Sequence, residues 1–274
     1  MRVAVHELGG PPDPEAPVLL FSHATGFHGR VWEPMAAPLT DRFHCLALDY
    51  RGHGLSELPE GTPMAWAGLG DDALAVLDSL GPGRVVHGVG HSMGGAALAL
   101  AAARRPDALR SLWLYEPVIV RGEFLFGDGP NPMAEGAARR RARFDSYAQA
   151  LANFSAKAPL DQLHPDALRS YVYGGFALQD DGSVTLRCRP SVEAAVFQGA
   201  ASSGAGKIVP ELELPVAMVV GREDTSGPAA FAPAVVAALP RGRLIEYPLL
   251  GHFGPMEDPV AMAAGLATWV AQCG

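Results

Sequence analysis

Short apolar runs recur along the chain and predict a series of β-strands. Seven runs stand out, and five of them are almost continuously apolar. Strands that are covered on both faces have this character, as in a parallel sheet with helices on each side. The first run instead alternates apolar and polar residues, which fits an edge strand. The predicted strands are 2–8, 17–22, 43–49, 84–90, 111–116, 216–221 and 243–248.

Apolar residues at helical spacing fill the stretches between several of these strands. The segment 68–81 ends at a glycine, which is a usual helix stop, and 92–105 is rich in alanine and leucine. The last segment, 258–274, begins with an aspartate in the capping position, followed by proline. Strands alternating with such helices predict an α/β fold with a mainly parallel sheet flanked by helices.

One long segment interrupts this alternation between the strands at 111–116 and 216–221. Residues 121–205 contain few strand-like runs and several helical pieces that carry scattered aromatic residues. The segment is too long to be an ordinary connection. We therefore predict a core formed by residues 1–120 and 206–274, and a mostly helical cap formed by residues 121–205.

A serine lies where a predicted strand meets a predicted helix, in the stretch GVGHSMGG at 88–95. A glycine-rich turn that happens to contain serine is one interpretation. The other is a nucleophile, because Gly90-His91-Ser92-Met93-Gly94 matches Gly-x-Ser-x-Gly, a tight turn that exposes the hydroxyl above a sheet. The strand before Ser92 and the helix after it favour the nucleophile.

A nucleophilic serine needs a base, and the base needs an acid that orients it. The loop after the strand at 216–221 offers Glu223 and Asp224, and the loop after the strand at 243–248 offers His252. Both loops lie at carboxyl ends of predicted strands, where open α/β sheets place their sites. Glu116, which ends the run at 111–116, is an alternative acid.

With these residues the chain resembles the α/β-hydrolase family. The resemblance rests on SHATGFHG at 22–29, LDYRGHGLSE at 48–57, GHSMGG at 90–95, GREDTSGP at 221–228 and GHFGPMEDP at 251–259. It implies an α/β-hydrolase fold with the cap inserted after the sixth core strand. It also implies Ser92 as nucleophile, His252 as base and Asp224, at the family's Gly-x-x-Asp position, as acid.

The same resemblance implies an oxyanion hole made of two backbone N–H groups. One belongs to Met93, directly after the nucleophile, and the other to Thr25 in the loop after the second strand. Ala24 is a departure, because the family usually has glycine there. His23 is expected to brace this loop by hydrogen bonds.

For the other polar residues, a structural role is the simpler interpretation. Asp49, Arg51 and His53 belong to the stretch DYRGHG, which looks like a structural turn of the family. The basic run RRRAR at 139–143 predicts a solvated helix face in the cap; the alternative is contact with an anionic group of the substrate.

Composition narrows the class of partner. The 274 residues are 49% hydrophobic, which suits a globular core, and the net charge of −8 argues against nucleic acid. Apolar runs fall short of a membrane span, and three scattered cysteines fit a reducing compartment, so we expect a cytoplasmic protein. The sequence presents no motif for a metal or another cofactor, and we expect a monomer or homodimer.

These features predict a serine hydrolase that cleaves carboxylic esters of small or medium apolar molecules through an acyl-enzyme on Ser92. Other bonds suit the same residues: thioester, lactone, amide, proline iminopeptidase-like and carbon–carbon cleavage. A cofactor-free haloperoxidase is also compatible, and so is a low-turnover ligand-binding protein on a hydrolase scaffold. The cap sequence does not distinguish among these substrates.

Overall fold

A computed structural model describes residues 1–120, 131–222 and 227–274. Seven of its strands begin and end close to the predicted runs, because each apolar run continues up to a turn residue or a polar residue. The strands are β1 (Val5–Gly9), β2 (Val18–Ser22), β3 (His44–Leu48), β4 (Val86–His91), β5 (Ser111–Tyr115), β6 (Arg143–Phe144), β7 (Phe176–Leu178), β8 (Val184–Leu186), β9 (Val216–Val220) and β10 (Gly242–Glu246).

Seven of these strands form one sheet in the order β1-β3-β2-β4-β5-β9-β10. All neighbours pair in parallel except β1, which runs antiparallel to β3. The alternating first run is therefore an edge strand, as predicted, whereas β2, β4, β5 and β9 are buried along their whole length. The predicted mainly parallel α/β fold is confirmed.

Helices cover both faces of this sheet and bury two apolar clusters against it. Helices α2 and α3 pack on one face, and α1 and α10 pack on the other. The helices are α1 (Glu33–Ala36), α2 (Trp66–Ser79), α3 (Met93–Arg104), α4 (Pro132–Ala138), α5 (Tyr147–Ser155), α6 (Pro165–Gly175), α7 (Pro190–Gly199), α8 (Ala232–Val236), α9 (Gly254–Glu257) and α10 (Pro259–Cys273).

The segment between β5 and β9 contains helices α4 to α7 and a small antiparallel sheet in the order β6-β8-β7. The sequence did not predict this sheet, since its strands have only two or three residues and show no period. In this chain β5 is the fifth strand along the sequence. Residues 121–130, where the cap was predicted to begin, lie outside the described residues, so its limits stay a prediction.

The described residues contain neither a helix suited to cross a membrane nor a cluster of metal-binding side chains. None of the described helices combines the length and the apolar character that a bilayer crossing requires. Within the described ranges, histidine, cysteine, aspartate and glutamate side chains form no group of three or more that could hold a metal ion.

Candidate active site

Ser92 occupies the turn between β4 and α3 in a strained backbone conformation. Its φ of 53° and ψ of −118° lie in a region that residues other than glycine rarely adopt. Among the described residues other than glycine, only Ser92 and Glu116 have a positive φ. The strained turn that the Gly-x-Ser-x-Gly pattern predicts is therefore present.

Close packing explains the glycines around Ser92. A Cβ atom on Gly94 would lie 2.4 Å from the carbonyl oxygen of Ser22, and one on Gly90 would lie 2.5 Å from Gly95 Cα. The backbone of Ser92 is held by strand β5, because its N–H donates to the carbonyl of Tyr115 at 3.0 Å. These contacts keep the serine in place despite the strain.

The predicted base and one predicted acid meet across the ends of two strands. The Nδ1–H of His252, in the loop after β10, donates to Oε2 of Glu116 at 2.6 Å. The other carboxylate oxygen of Glu116 accepts a hydrogen bond from the backbone N–H of Gly221 at 2.9 Å. With Nδ1 carrying the proton, Nε2 of His252 is left as an acceptor, which is the form that a general base requires.

The histidine loop is fixed at several further points. His91 Nε2 donates to the carbonyl oxygen of His252 at 2.8 Å, and the hydroxyl of Tyr115 donates to the carbonyl of Gly251 at 2.7 Å. Glu257 accepts from the N–H of Gly251 at 2.7 Å. Burial lowers the pKa of His91 well below 6.5, so His91 is neutral at pH 7. Main-chain contacts thus restrict where the imidazole of His252 can lie.

Asp224, the acid preferred from the resemblance, lies outside the described residues together with Glu223. Its role stays a prediction. Glu116 is described, is 4% exposed and holds His252 directly. The strand pattern that placed Glu116 at the end of β5 was the signal that could have favoured it, since β5 and β9 are neighbours and lead to the same edge of the sheet.

The loop after β2 has the bracing that was expected of His23. Its Nε2 accepts from the N–H of Tyr50 at 3.1 Å, and its Nδ1 donates to the carbonyl of Ala24 at 2.8 Å. Ala24 does not have a positive φ, so alanine fits where the family usually has glycine. Among the described residues, the N–H groups of Thr25 and Met93 have no hydrogen-bond partner; Thr25 lines the pocket, and Met93 directly follows Ser92.

One pocket of about 420 Å³ contains Ser92 and His252 in its wall. Most of the lining side chains are apolar, and they come from both the core and the cap. Asn131 is satisfied elsewhere, because its Oδ1 accepts from Met133 and Ala134 and caps α4. The apolar lining residues are Ala24, Trp66, Val118, Val120, Met133, Phe197, Ala200, Pro228, Phe231 and Phe253.

The stretch DYRGHG forms a turn, whereas one arginine of the basic run RRRAR forms a largely buried ion pair. Asp49 accepts from the N–H groups of Gly29 at 2.6 Å and Leu55 at 2.7 Å, so it stabilises a turn, as expected. In the basic run, the prediction of a solvated helix face is wrong, because the run follows the end of α4 and the side chain of Arg140 is only 19% exposed and pairs with Glu193. Along the part of the pocket wall that the structure describes, no residue of 139–143 contributes.

Several buried histidines predict acid sensitivity. Desolvation lowers the pKa of His23 to about 3, that of His28 to about 4 and that of His87 to about 4, against an ordinary value of 6.5. Between pH 6.5 and 4 the unfolded chain therefore binds more protons than the folded chain, and stability falls as the pH falls. Each histidine contributes a slope of about 1.4 kcal/mol per pH unit in this window.

We expect the free energy of unfolding to fall by about 4 kcal/mol per pH unit below pH 6, from these three histidines together. Urea denaturation at pH 7, 6, 5.5 and 5 measures this slope. His87→Asn, which can keep a hydrogen bond to Ser111, should reduce the slope by about 1.4 kcal/mol per pH unit. A slope that is unchanged in this variant would contradict the assignment.

The comparisons with known proteins agree with this architecture. The model of the alpha/beta hydrolase family matches residues 19–265, and the chain belongs to this family. The crystal structure of E-2-(acetamidomethylene)succinate hydrolase superposes with a TM-score of 0.79, covering 98% of this chain and 95% of that chain, at 24% identity. At this identity the likeness establishes the fold alone.

Two sequence relatives are similar over part of the chain. The 2-(acetamidomethylene)succinate hydrolase of Mesorhizobium japonicum is 40% identical over 96 residues, which are 35% of this chain and 34% of that protein. The putative carbamate hydrolase RutD of Caulobacter sp. is 35% identical over 117 residues, which are 43% of this chain and 41% of that protein. The matches thus span less than half of either relative's length. Both relatives are named as hydrolases, and the substrates in their names differ.

Proposed function

We propose that the protein is a serine hydrolase that cleaves carboxylic esters of small or medium apolar molecules through an acyl-enzyme on Ser92. The observation that carries the proposal is one arrangement. A strained serine lies in the wall of an apolar pocket, and the same wall contains a histidine whose Nδ1 is bonded to a buried carboxylate. A nucleophile, a base and an orienting acid are the parts that acyl transfer requires.

In the proposed reaction, Nε2 of His252 takes the proton of the Ser92 hydroxyl as the oxygen attacks the ester carbonyl. The tetrahedral intermediate places its negative oxygen against the N–H groups of Thr25 and Met93. Because Met93 is the first residue of α3, the amino end of that helix adds a favourable electrostatic potential. His252 then protonates the leaving alcohol, and a water molecule releases the acyl group by the same route.

We assign the orienting acid to Glu116. Its contact with Nδ1 of His252 supports this assignment, as does the bond from Gly221 that fixes the carboxylate. The carboxylate holds the imidazole in one tautomer and stabilises the positive charge that forms on it. Asp224 remains the alternative that the resemblance favours, and one experiment separates the two.

The pocket supports an uncharged substrate. Among the lining residues that the structure describes there is no lysine, arginine, aspartate or glutamate. A succinate derivative, as named for one relative, carries carboxylates, and burying a carboxylate without a cationic partner is costly. Neutral acyl groups of moderate length therefore fit these walls better than acidic ones.

A panel of p-nitrophenyl esters tests the substrate class. We expect kcat/KM to be highest for neutral acyl groups such as acetyl, butanoyl or hexanoyl. The p-nitrophenyl monoester of succinic acid should have a kcat/KM at least tenfold lower, since burying its unpaired carboxylate in this pocket costs more than about 1.4 kcal/mol. A succinyl ester that is as good as the butanoyl ester would contradict the apolar assignment.

The names of the relatives favour a second candidate, cleavage of a carbon–nitrogen acyl bond. Carbamate and acetamido groups both contain such a bond. Butanoyl p-nitroanilide, matched to p-nitrophenyl butanoate in acyl group, compares the two bonds directly. We expect the ester to react faster; a higher kcat/KM for the anilide would assign the protein to amide hydrolysis.

A further inference from the structure

The cap contains an ion pair that is largely buried. Arg140, which follows α4, donates through Nη1 to both carboxylate oxygens of Glu193 in the first turn of α7, at 2.8 and 3.0 Å. Only 19% of the Arg140 side chain and 9% of the Glu193 side chain are exposed. Arg140 Nη2 also donates to the hydroxyl of Tyr171 on α6, so the guanidinium joins three parts of the cap.

This pair lies directly on the loop after β2. A Cβ atom added to Gly26 would be 2.5 Å from Oε1 of Glu193 and 3.2 Å from Nη1 of Arg140. Gly26 has a φ of 77° and follows Thr25, whose N–H is the proposed oxyanion donor. The next residue, Phe27, closes the turn by donating its N–H to the carbonyl of Ala24 at 3.1 Å. The pair therefore packs on the backbone unit that orients the Thr25 amide.

Stability alone is a weak reason for such a pair. Removing two charges from water costs about as much as their attraction returns, so an apolar pair of similar volume would stabilise the cap equally well. What the pair supplies is a fixed geometry. The planar guanidinium is held by Glu193 and Tyr171 and lies over the Phe154 ring at 5.6 Å, so the carboxylate has little freedom to move away from Gly26.

We propose that Arg140 and Glu193 are positioning residues that hold the Gly26 turn, so that the N–H of Thr25 points to the developing oxyanion. This inference rests on the proposed function. Because an oxyanion exists only in the transition state and the tetrahedral intermediate, loosening the turn lowers kcat and leaves ground-state binding of the ester nearly unchanged.

The test is Glu193→Gln, which keeps the size of the side chain and removes its charge. With p-nitrophenyl butanoate we expect kcat to fall about 10- to 100-fold and KM to stay within about twofold. The inhibition constant of phenylboronic acid, whose serine adduct is tetrahedral, should rise by the same factor as kcat falls. Arg143→Gln removes an exposed ion pair with Asp181 in the same cap and should change none of these quantities.

Two results would overturn the proposal. If KM rises while kcat is unchanged, the pair shapes the pocket and does not act on the oxyanion donor. If only the melting temperature falls, with kcat and boronic acid affinity unchanged, the pair is a packing element. Should Glu193→Gln fail to fold, Arg140→Lys keeps the charge and loses the contact with Tyr171. The kcat of Arg140→Lys is expected to fall by less than the 10- to 100-fold loss expected for Glu193→Gln, again at constant KM.

Hydrogen exchange separates this proposal from the proposed function. In Glu193→Gln, amides of residues 23–27 should exchange at least fivefold faster than in the unchanged protein, whatever the substrate is. Faster exchange without any Ser92-dependent ester cleavage would refute the ester hydrolase and leave the bracing of the turn intact. Unchanged exchange together with ester cleavage would refute the bracing alone.

Discussion

Replacing Ser92 with alanine is expected to abolish ester turnover, with a loss of kcat of about 10⁶-fold. The loss is this large because Oγ of Ser92 is the atom that forms the acyl-enzyme in the proposed reaction, and no neighbouring group can take its place. The backbone conformation at residue 92 is maintained by the bond to Tyr115 and by close packing of the flanking glycines, so the fold should survive. Turnover of p-nitrophenyl butanoate and labelling by a fluorophosphonate probe measure the effect.

Ser79→Ala is the matched control for this experiment. Ser79 ends α2, and its hydroxyl donates only to the carbonyl of Val76. The control should keep both turnover and labelling, whereas Ser92→Ala should lose both with its melting temperature nearly unchanged. Persisting turnover in folded Ser92→Ala protein would refute the acyl-enzyme mechanism. Stoichiometric labelling of Ser92 with product released only over hours would instead identify a ligand-binding protein on a hydrolase scaffold.

Replacing Glu116 with glutamine is expected to lower kcat by about 10³- to 10⁴-fold. Glutamine keeps the size of the side chain and can still contact Gly221, but it lacks the negative charge that stabilises the imidazolium of His252. Its amide can also present an N–H to Nδ1, which would favour the wrong tautomer. The measurement is kcat for p-nitrophenyl butanoate from pH 6 to 9, so that a shifted profile is not mistaken for a lower plateau.

Asp224→Asn is the counterpart that assigns the acid. If Glu116 orients His252, this variant should lose less than tenfold in kcat. If Asp224→Asn loses 10³-fold and Glu116→Gln is nearly as active as the unchanged protein, the acid is Asp224 and the contact seen with Glu116 is a supporting one. The double variant adds a check, because two residues that act on one histidine are not additive.

The sequence predicted the sheet well because each of its strands is specified locally. A run such as VLLFS at 18–22 is apolar at every position, and such a run is stable only when both faces of the strand are covered. The serine turn was equally local: Gly90 and Gly94 are required by contacts within the turn and with the adjacent loop. The edge strand was predicted correctly, although its faces do not divide by polarity: Val5 is exposed and His6 is partly buried against Asp49.

Contacts between distant segments were harder to predict. The sequence offered several acids at the ends of strands. Only the folded structure shows that Oε2 of Glu116 lies 2.6 Å from Nδ1 of His252. A run of four arginines in five residues has the pattern of a solvated surface, yet Arg140 is buried by Glu193, more than fifty residues away. The small sheet of the cap was missed because strands of two or three residues have no detectable period.

The division of labour between the core and the cap has a consequence for protein engineering. Ser92, Glu116 and His252 all come from ends of core strands, whereas Met133 and Phe197 bring the cap into the pocket wall. If these three residues are the catalytic ones, as proposed, grafting a foreign cap is expected to change the substrate range and leave the catalytic residues in place. Such a chimera has one structural requirement. The donor cap has to carry side chains that support the Gly26 turn as Glu193 and Arg140 do, because otherwise the new pocket would lie against an unsupported loop.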